Sequence, residues 1–288
     1  MIVSLHFYRI IYNYVFKKIF GDENNKDILS SFLSCVINEQ INDVSILNNE
    51  ITKENTADKK SILDIRATIN DGVQIDIEIQ LSRTIYMPAR SLYYWSKIYM
   101  EQLQIGQIYK KLNRTICINI LDFISTESKK YHSVYRLKET EENFELTNLM
   151  EIHFIEIPKL KGYEKNDVLS QWINFINADS REELKKMAIV NKNIDKAFDI
   201  LNVMSQNKEE RAAYLSREMA LHDEVTKLEE ALQEGRQEGL EEGRQEGLEE
   251  GEKKKALEIA KNLLDILDNE TIAIKTGLTL DEIENLRK

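Results

Sequence analysis

The sequence predicts an α/β or α+β domain followed by an all-helical tail. Up to residue 205, short isoleucine-rich segments bounded by polar turns, which are typical of strands, are interspersed with helical segments. The 288 residues are 42% hydrophobic and 31% charged, enough for one large core and an appendage. We predict three parts: the domain at 1–205, a charged helical linker with EGRQEGLE repeats at 206–255, and a small helical module at 256–288.

The first elements are predicted to be helices. Residues 1–20 form an apolar run that polar residues interrupt, and no small-residue cleavage site follows, so we interpret it as an amphipathic helix rather than a signal peptide. The polar break GDENN at 21–25 separates this helix from a second one.

Three strands and a helix are predicted next. The strands lie within DVSILNNEI (43–51), SILDIRATI (61–69) and VQIDIEIQL (73–81). The helix runs from about Pro88 to Leu103, because proline in a first helical turn loses no hydrogen bond.

Two further strands follow, TICINILDF (115–123) and MEIHFIEIP (150–158), and the pattern is helical from Asn166 to Leu228. TICINILDF is nearly continuous in apolar residues, which predicts a central position in the sheet.

The tail contains an octad that repeats without change over residues 234–249, and glycine recurs every fourth residue from Gly235 to Gly251. On a helix this spacing makes a slowly turning stripe at which a second backbone could approach. Five glycines weaken a helix by roughly 5 kcal/mol relative to alanine. We therefore favour a linker or weak coiled coil over a specific binding function, and the glycine stripe makes the tail the expected route of self-association.

The last 33 residues predict three short helices. Thr279 and Glu282 form a capping box, and Gly277 ends the helix before it. The arrangement is similar to a helix-turn-helix, but the net charge of residues 256–288 is −3 (4 basic, 7 acidic). A helical docking module is therefore favoured over a DNA reader.

Charge and cysteine content bound the partners and the location. The net charge is −11, but residues 1–205 carry 26 basic and 28 acidic residues, a net of −2, so the acidity belongs mainly to the tail. Cys35 and Cys117 are too few for a disulfide framework or a metal cage, which predicts buried free thiols in the cytoplasm. The sequence contains no apolar run of about 18 residues, which is the length that would predict a membrane span.

The segment LDIRATINDGVQIDIEIQL predicts a hairpin with a three-residue Asn-Asp-Gly loop. Ile69 then pairs with Val73, and the numbers of paired residues sum to 142. Arg66 faces Asp76, an ordinary ion pair, whereas Asp64 faces Glu78.

Two facing carboxylates are unfavourable unless a cation lies between them or one stays protonated. Mg²⁺ prefers such oxygen ligands and can prepare a water for attack on a phosphodiester. Two alternatives remain open: the face is simply solvated, or a two-residue loop pairs Asp64 with Ile79 instead.

A basic and aromatic segment follows the hairpin. Residues 83–114 contain six basic residues and one acid. We expect Leu92, Trp95, Tyr99 and Leu103 to form the inward stripe of the helix. Arg90, Tyr94 and Lys97 share another face, which could contact a DNA backbone.

Five blocks of this chain resemble one bacterial family in order and spacing. They are FKKIFGDENNKDILSSFL, LDIRATINDGVQIDIEIQL, RSLYYWSKIYMEQLQIGQIYKKL, INILDF and EIHFIEIPKL. Over residues 8–205 they resemble the recombination-promoting nuclease and transposase family within the PD-(D/E)XK superfamily. The resemblance implies a restriction-endonuclease-like mixed sheet flanked by helices, and DNA cleavage that depends on Mg²⁺ or Mn²⁺.

The resemblance also implies roles for single residues. Asp64 and Glu78 match the metal-binding acids, and Gln80 matches the position of the lysine that positions the attacking water. Gln80 can hydrogen-bond a water but carries no charge. Asn13 replaces an acid that relatives often carry and predicts a weaker metal site.

Two interpretations of these departures stay open. Lys17 and Lys18 could supply the missing positive charge or only cover the first helix, and we favour the second. The protein could also be a catalytically degraded nuclease fold that binds DNA or itself.

We expect His153, which lies in a strand pattern, to be hydrogen-bonded within the sheet rather than to bind a metal.

Overall fold

The structure is a computed structural model that describes residues 9–48, 63–160 and 167–287. The parts of predicted elements that fall on residues 1–8, 49–51, 61–62, 166 and 288 lie outside the described residues. The chain divides into two compact units, Met1–Ala220 and Leu221–Lys288, and each is described by itself.

The first unit contains a mixed sheet, as predicted. In the described residues its strands are β1 (Val44–Leu47), β2 (Ile65–Ile69), β3 (Val73–Gln80), β4 (Thr115–Leu121), β5 (His132–Tyr135) and β6 (Met150–Glu156). Their spatial order is β1-β2-β3-β4-β6-β5. β4 is parallel to β3 and to β6, and the other pairs are antiparallel. Every residue of β4 is buried, which confirms its central position.

Helices cover one face of this sheet. They are α1 (Asn13–Phe20), α2 (Lys26–Ile37), α4 (Val168–Asn177), α5 (Arg181–Val190) and α6 (Lys192–Gln206). Phe20, Phe32 and Trp172 are fully buried, and the Phe20 and Phe32 rings lie 5.5 and 6.0 Å from that of Trp172. Truncating any one of these rings to alanine would destabilise the fold by about 3–5 kcal/mol. α1 begins only at Asn13, so the predicted first helix is shorter than expected within the described residues.

Among the described residues, one helix, α3 (Met87–Glu101), packs on the opposite face. Its buried residues are Met87, Ser91 and Ile98, whereas Leu92 is 49% exposed. The predicted inward stripe is therefore wrong for Leu92, although Trp95 packs partly buried against the core of this face. The true stripe is rotated by about one residue, or 100°. Ser91 marks it by donating a 2.6 Å hydrogen bond from Oγ to Oδ1 of buried Asn119, a contact that apolar periodicity does not reveal.

The tail is helical throughout most of its described length. α7 (Lys208–Leu263) is followed by α8 (Asn269–Thr276) and α9 (Leu280–Leu286). Gly277 has φ +76° and ends α8, and Thr279 forms the predicted capping box with Glu282. Ala260, Ile272, Leu278 and Ile283 form a small core in this second unit. The predicted three-part division of the chain stays a prediction.

The described residues bear on two expectations, one about membrane spans and one about the burial of the cysteines. None of the described helices is long and apolar enough to cross a membrane. Both cysteines are free, but only Cys117 is buried, whereas Cys35 is half-buried. The prediction of two buried thiols is therefore right for Cys117 alone.

Candidate active site

The candidate active site lies where β2 begins and β3 ends. The hairpin has the predicted register, with Ile69 opposite Val73 and Arg66 opposite Asp76. Gly72 closes the three-residue loop with φ +96°, a left-handed conformation that glycine adopts at low cost. The loop therefore sets which side chains of the two strands meet.

The side chains of Asp64 and Glu78 each accept a hydrogen bond from the backbone of the opposite side of the hairpin. The backbone N–H of Asp64 donates to Glu78 Oε1 at 3.1 Å, and the N–H of Ile79 donates to Asp64 Oδ2 at 2.9 Å. The two side chains are 11% and 3% exposed. The structure thus brings together the two acids that the hairpin register places opposite each other.

Helix α1 contributes a polar edge to the site. Asn13 Nδ2 donates to Asp64 Oδ1, and Lys17 Nζ lies 3.2 Å from the same oxygen. Asn13 and Lys17 lie one helical turn apart, a spacing that puts both side chains on one side of α1. The favoured interpretation that Lys17 only covers the first helix is therefore wrong. Lys18 instead pairs with Glu210 at 2.9 Å.

Helix α3 contributes a cation from the other side. Arg90 Nη2 donates to Glu78 Oε2 at 3.0 Å, and Nη1 donates to Gln80 Oε1 at 3.2 Å. Its guanidinium lies 5.2 Å from the centre of the Tyr94 ring. Lys97, further along α3, lies 5.8 Å from the Tyr93 ring. Arg90 thus bridges the Glu78 and Gln80 side chains.

The predicted ion pair between Arg66 and Asp76 is wrong. Arg66 Nη1 lies 2.8 Å from Glu101 Oε2 of α3, a partner far away in sequence. Asp76 is 1% exposed, and its Oδ1 has no hydrogen-bond partner in the part of the chain that the structure describes. A second buried acid therefore lies beside Glu78 without a salt bridge of its own among the described residues.

Burial and mutual repulsion perturb these acids. Burial, followed by the negative charges of Asp76 and Asp64, raises the pKa of Glu78 to about 9, although Arg90 acts in the opposite direction. Burial also raises the pKa of Asp76 to about 7, against a hydrogen bond with Cys117. The site therefore holds more buried acid than its cations compensate.

One comparison with known proteins identifies the family. A family model described as PD-(D/E)XK nuclease family transposase matches residues 11–231. The chain belongs to this family. Comparison with curated proteins and with solved structures finds no match. The family assignment confirms the resemblance inferred from the sequence blocks and indicates a nuclease.

The chemistry of the side chains at the candidate site is compatible with a divalent cation. Two carboxyl groups converge, and the high pKa of Glu78 reflects a carboxylate whose charge a nearby cation would stabilise. No group of three or more His, Cys, Asp and Glu side chains within residues 9–48, 63–160 and 167–287 is arranged to hold a metal. Asp64 and Glu78 would therefore be the only carboxylates of these residues to hold such an ion, and water and phosphate would supply its remaining oxygen ligands.

A second polar network lies on the opposite face of the sheet. His153 is buried and contacts His132 at 2.8 Å and Glu151 at 2.6 Å. Arg114 Nη2 donates to both oxygens of Glu151, at 2.9 and 2.8 Å. These contacts confirm the expectation that His153 is hydrogen-bonded within the sheet.

Proposed function

We propose that this protein is a DNA endonuclease that depends on Mg²⁺ or Mn²⁺ and hydrolyses phosphodiester bonds, of the recombination-promoting or transposase type. The observation that carries the proposal is the convergence of Asp64 and Glu78 at the end of the β2–β3 hairpin, next to Arg90. Family membership supports a nuclease reaction, and the low net charge of residues 1–205 allows a nucleic-acid substrate.

Asp64 and Glu78 would hold the cation, and Asn13 could add a neutral amide oxygen. A divalent ion bound there would stabilise negative charge on the phosphate and lower the pKa of a water. Lys17 Nζ lies 3.2 Å from Asp64 Oδ1 and holds that carboxylate in place. The backbone N–H of Ile79 fixes its other oxygen, so the carboxylate is preorganised.

Gln80 orients the attacking water in this proposal. Its Oε1 accepts from Arg90, and its Nε2 donates to the Ser82 carbonyl at 3.3 Å. One lone pair of Oε1 and one hydrogen of Nε2 remain for the water. Glutamine carries no positive charge, and in this proposal the neighbouring Arg90 supplies it. The guanidinium group of Arg90 also donates a hydrogen bond to Glu78.

The DNA backbone would bind along α3 in this proposal. Arg90 and Tyr94 lie at the site, and Lys97 extends the basic face along the helix. The only acid in residues 83–114 is Glu101, which is 2.8 Å from Arg66. Phosphate contacts of this kind would make binding depend strongly on salt.

The test is cleavage of supercoiled plasmid with Mg²⁺, Ca²⁺ or EDTA. The wild type should nick and linearise the plasmid with Mg²⁺ only. Asp64→Ala and Glu78→Ala should each lower the rate by more than about a hundredfold, because even outer partners of metal ligands contribute 10- to 100-fold. Asp71→Ala, at an exposed position in the loop of the same hairpin, is the matched control and should cleave normally. Undiminished cleavage by both site variants would refute the proposal.

One observation favours a second candidate, a degraded nuclease fold that binds DNA or itself. Lys17 and Arg90 already contact Asp64 and Glu78, so two cations partly neutralise the acids without a metal. If the protein only binds DNA or itself, Mn²⁺ should not raise its melting temperature through this site. Wild type and Glu78→Ala should then respond to Mn²⁺ in the same way. The helical docking module at 256–288, self-association through the tail and the cytoplasmic location also stay predictions.

A further inference from the structure

Two large apolar side chains stand exposed beside the candidate active site. Ile85 is 76% and Tyr86 is 71% exposed, whereas the next residue, Met87, is fully buried. Both lie in the short loop between β3 and α3. The loop therefore directs one apolar side chain into the core and leaves two in water, and such exposed apolar groups commonly mark a binding surface.

The loop is tied to the site at both ends. At its start, Gln80 Nε2 donates to the Ser82 carbonyl at 3.3 Å. At its end, the N–H of Arg90 donates to the Tyr86 carbonyl at 2.9 Å, which places Tyr86 one helical turn from Arg90. The Tyr86 N–H also donates to Thr84 Oγ1 at 3.2 Å, which fixes the turn between them. Ile85 and Tyr86 therefore stand at the rim of the site.

The surroundings of this rim carry positive charge. Arg83 is exposed in the same loop, and Arg90 is partly exposed one turn into α3. A partner of this surface should combine negative charge with flat apolar faces. Nucleic-acid bases attached to a phosphate backbone have that combination, and they stack on aromatic and apolar side chains.

A fully paired duplex does not offer those faces, because its bases already stack on one another. We infer that Ile85 and Tyr86 form a wedge that receives an unpaired or weakly paired base next to the scissile phosphate. The preferred substrate is then a junction of single-stranded and duplex DNA, such as a fork or bubble, rather than uniform duplex. This inference rests on the proposed nuclease function.

Cleavage of matched substrates tests the wedge. A paired duplex, a fork and a bubble of the same sequence are incubated with the full-length protein and Mg²⁺. The wild type should cleave fork and bubble about tenfold faster than the paired duplex, as expected from stacking of one base. Its cuts should map beside the unpaired segment.

Variants separate the wedge from general effects. Tyr86→Ala, alone and with Ile85→Ala, should reduce the preference for the fork to near one, whereas Tyr86→Phe should keep it, because the ring and not the hydroxyl stacks. Ile189→Ala and Tyr109→Ala are controls that remove side chains of similar exposure elsewhere, 84% and 82%, and should keep the preference. Unchanged melting temperatures would verify folding.

Base stacking is read directly with 2-aminopurine at the fork junction, in Ca²⁺ to hold the complex. The wild type and Tyr86→Phe should quench its fluorescence, and Tyr86→Ala should not. Equal cleavage of fork and duplex by the wild type, or a full fork preference in the double variant, would overturn the wedge. If that cleavage still requires Glu78, the proposed function survives; absence of cleavage of every DNA would overturn both.

Discussion

Glu78 and Glu151 lie in strands of the same sheet and face opposite ways. Each side chain is 3% exposed, and each has an arginine within 3.0 Å. Glu78 aligns with Asn119 across the β3–β4 pair, and Glu151 aligns with Ile116 across the β4–β6 pair. Similar burial and a similar partner nevertheless give the two carboxyl groups opposite chemistry.

The difference lies in the remaining neighbours. Burial would raise the pKa of Glu151, but the hydrogen bond with His153 and the charge of Arg114 lower it to about 2. Arg136 Nε also donates to Glu151, at 2.7 Å. Glu78 instead faces two further acids, and its pKa rises to about 9. A buried carboxylate with a full set of donors stabilises the fold, whereas one short of donors among other acids is suited to bind a cation.

The same substitution at both positions should give the largest contrast in stability. Glu151→Gln leaves Arg114 with only its more exposed partner, Glu39 at 2.6 Å, and should lower the free energy of unfolding by about 3 kcal/mol. Glu78→Gln replaces an acid whose raised pKa already favours the neutral form, so the change should stay below about 1 kcal/mol. Urea unfolding in EDTA measures both. Equal losses of unfolding free energy in the two variants would contradict the difference drawn between Glu78 and Glu151.

The network around Glu151 should make stability depend on pH. Burial, followed by the charge of His153, lowers the pKa of His132 to about 4, although Asp167 and Glu151 act in the opposite direction. The unfolded chain takes up this proton near pH 6.5, so stability is complete above pH 6.5 and falls as the pH drops to about 4. We expect a loss of roughly 3 kcal/mol over that window.

His132→Gln should flatten this part of the stability profile, because glutamine does not titrate. His222→Gln, at an exposed position of α7, is the control and should keep the wild-type slope. Unfolding free energies at pH 4 to 7.5 give the comparison. A wild-type slope in His132→Gln would assign the effect to other groups.

Arg90 should matter through both its charge and its shape. Arg90→Ala should lower kcat about a hundredfold, in the range for losing one preorganised donor. Arg90→Lys keeps the charge but loses the fork that bridges Glu78 and Gln80, and should recover about tenfold of that loss. Lys97→Ala should raise KM and leave kcat nearly unchanged, because Lys97 is proposed to bind only the backbone. Equal kcat in wild type and Arg90→Ala would remove Arg90 from the mechanism.

Of these substitutions, Asn13→Asp should have the smallest effect, a change in metal affinity. The substitution places a third carboxylate beside Asp64 and should raise Mn²⁺ affinity by about tenfold, the scale of one partner of a metal ligand. Calorimetric titration measures this affinity. Asn42→Asp, at an exposed position before β1, is the control and should bind Mn²⁺ like the wild type. Unchanged or weaker binding in Asn13→Asp would place Asn13 outside the metal site.

The sequence predicts the hairpin part of the site because the contact is local. Loop length and alternation place Asp64 opposite Glu78 without knowledge of the other elements. The partner of Arg66 could not be predicted in this way, since Glu101 reaches it only after α3 packs on the sheet. The position of Lys17 likewise depends on how α1 docks against β2.

The fold is predictable where periodicity is strong. β4 is apolar throughout, and its central position follows from that pattern. β5 is four residues long and half-exposed, so it carries no comparable signal. On α3, the polar contact between Ser91 and Asn119 fixes the buried stripe, and a search for apolar residues misses it.

The most direct test of the central claim is Mn²⁺ titration followed by thermal unfolding, using wild type, Glu78→Gln and Glu151→Gln. Wild type should be stabilised, by about 2.7 kcal/mol at a metal concentration of 100 Kd. Glu151→Gln should show the same gain from a lower baseline, and Glu78→Gln should show none. A full gain in Glu78→Gln, or its loss in Glu151→Gln, would contradict the assignment of the metal site to the β2–β3 hairpin.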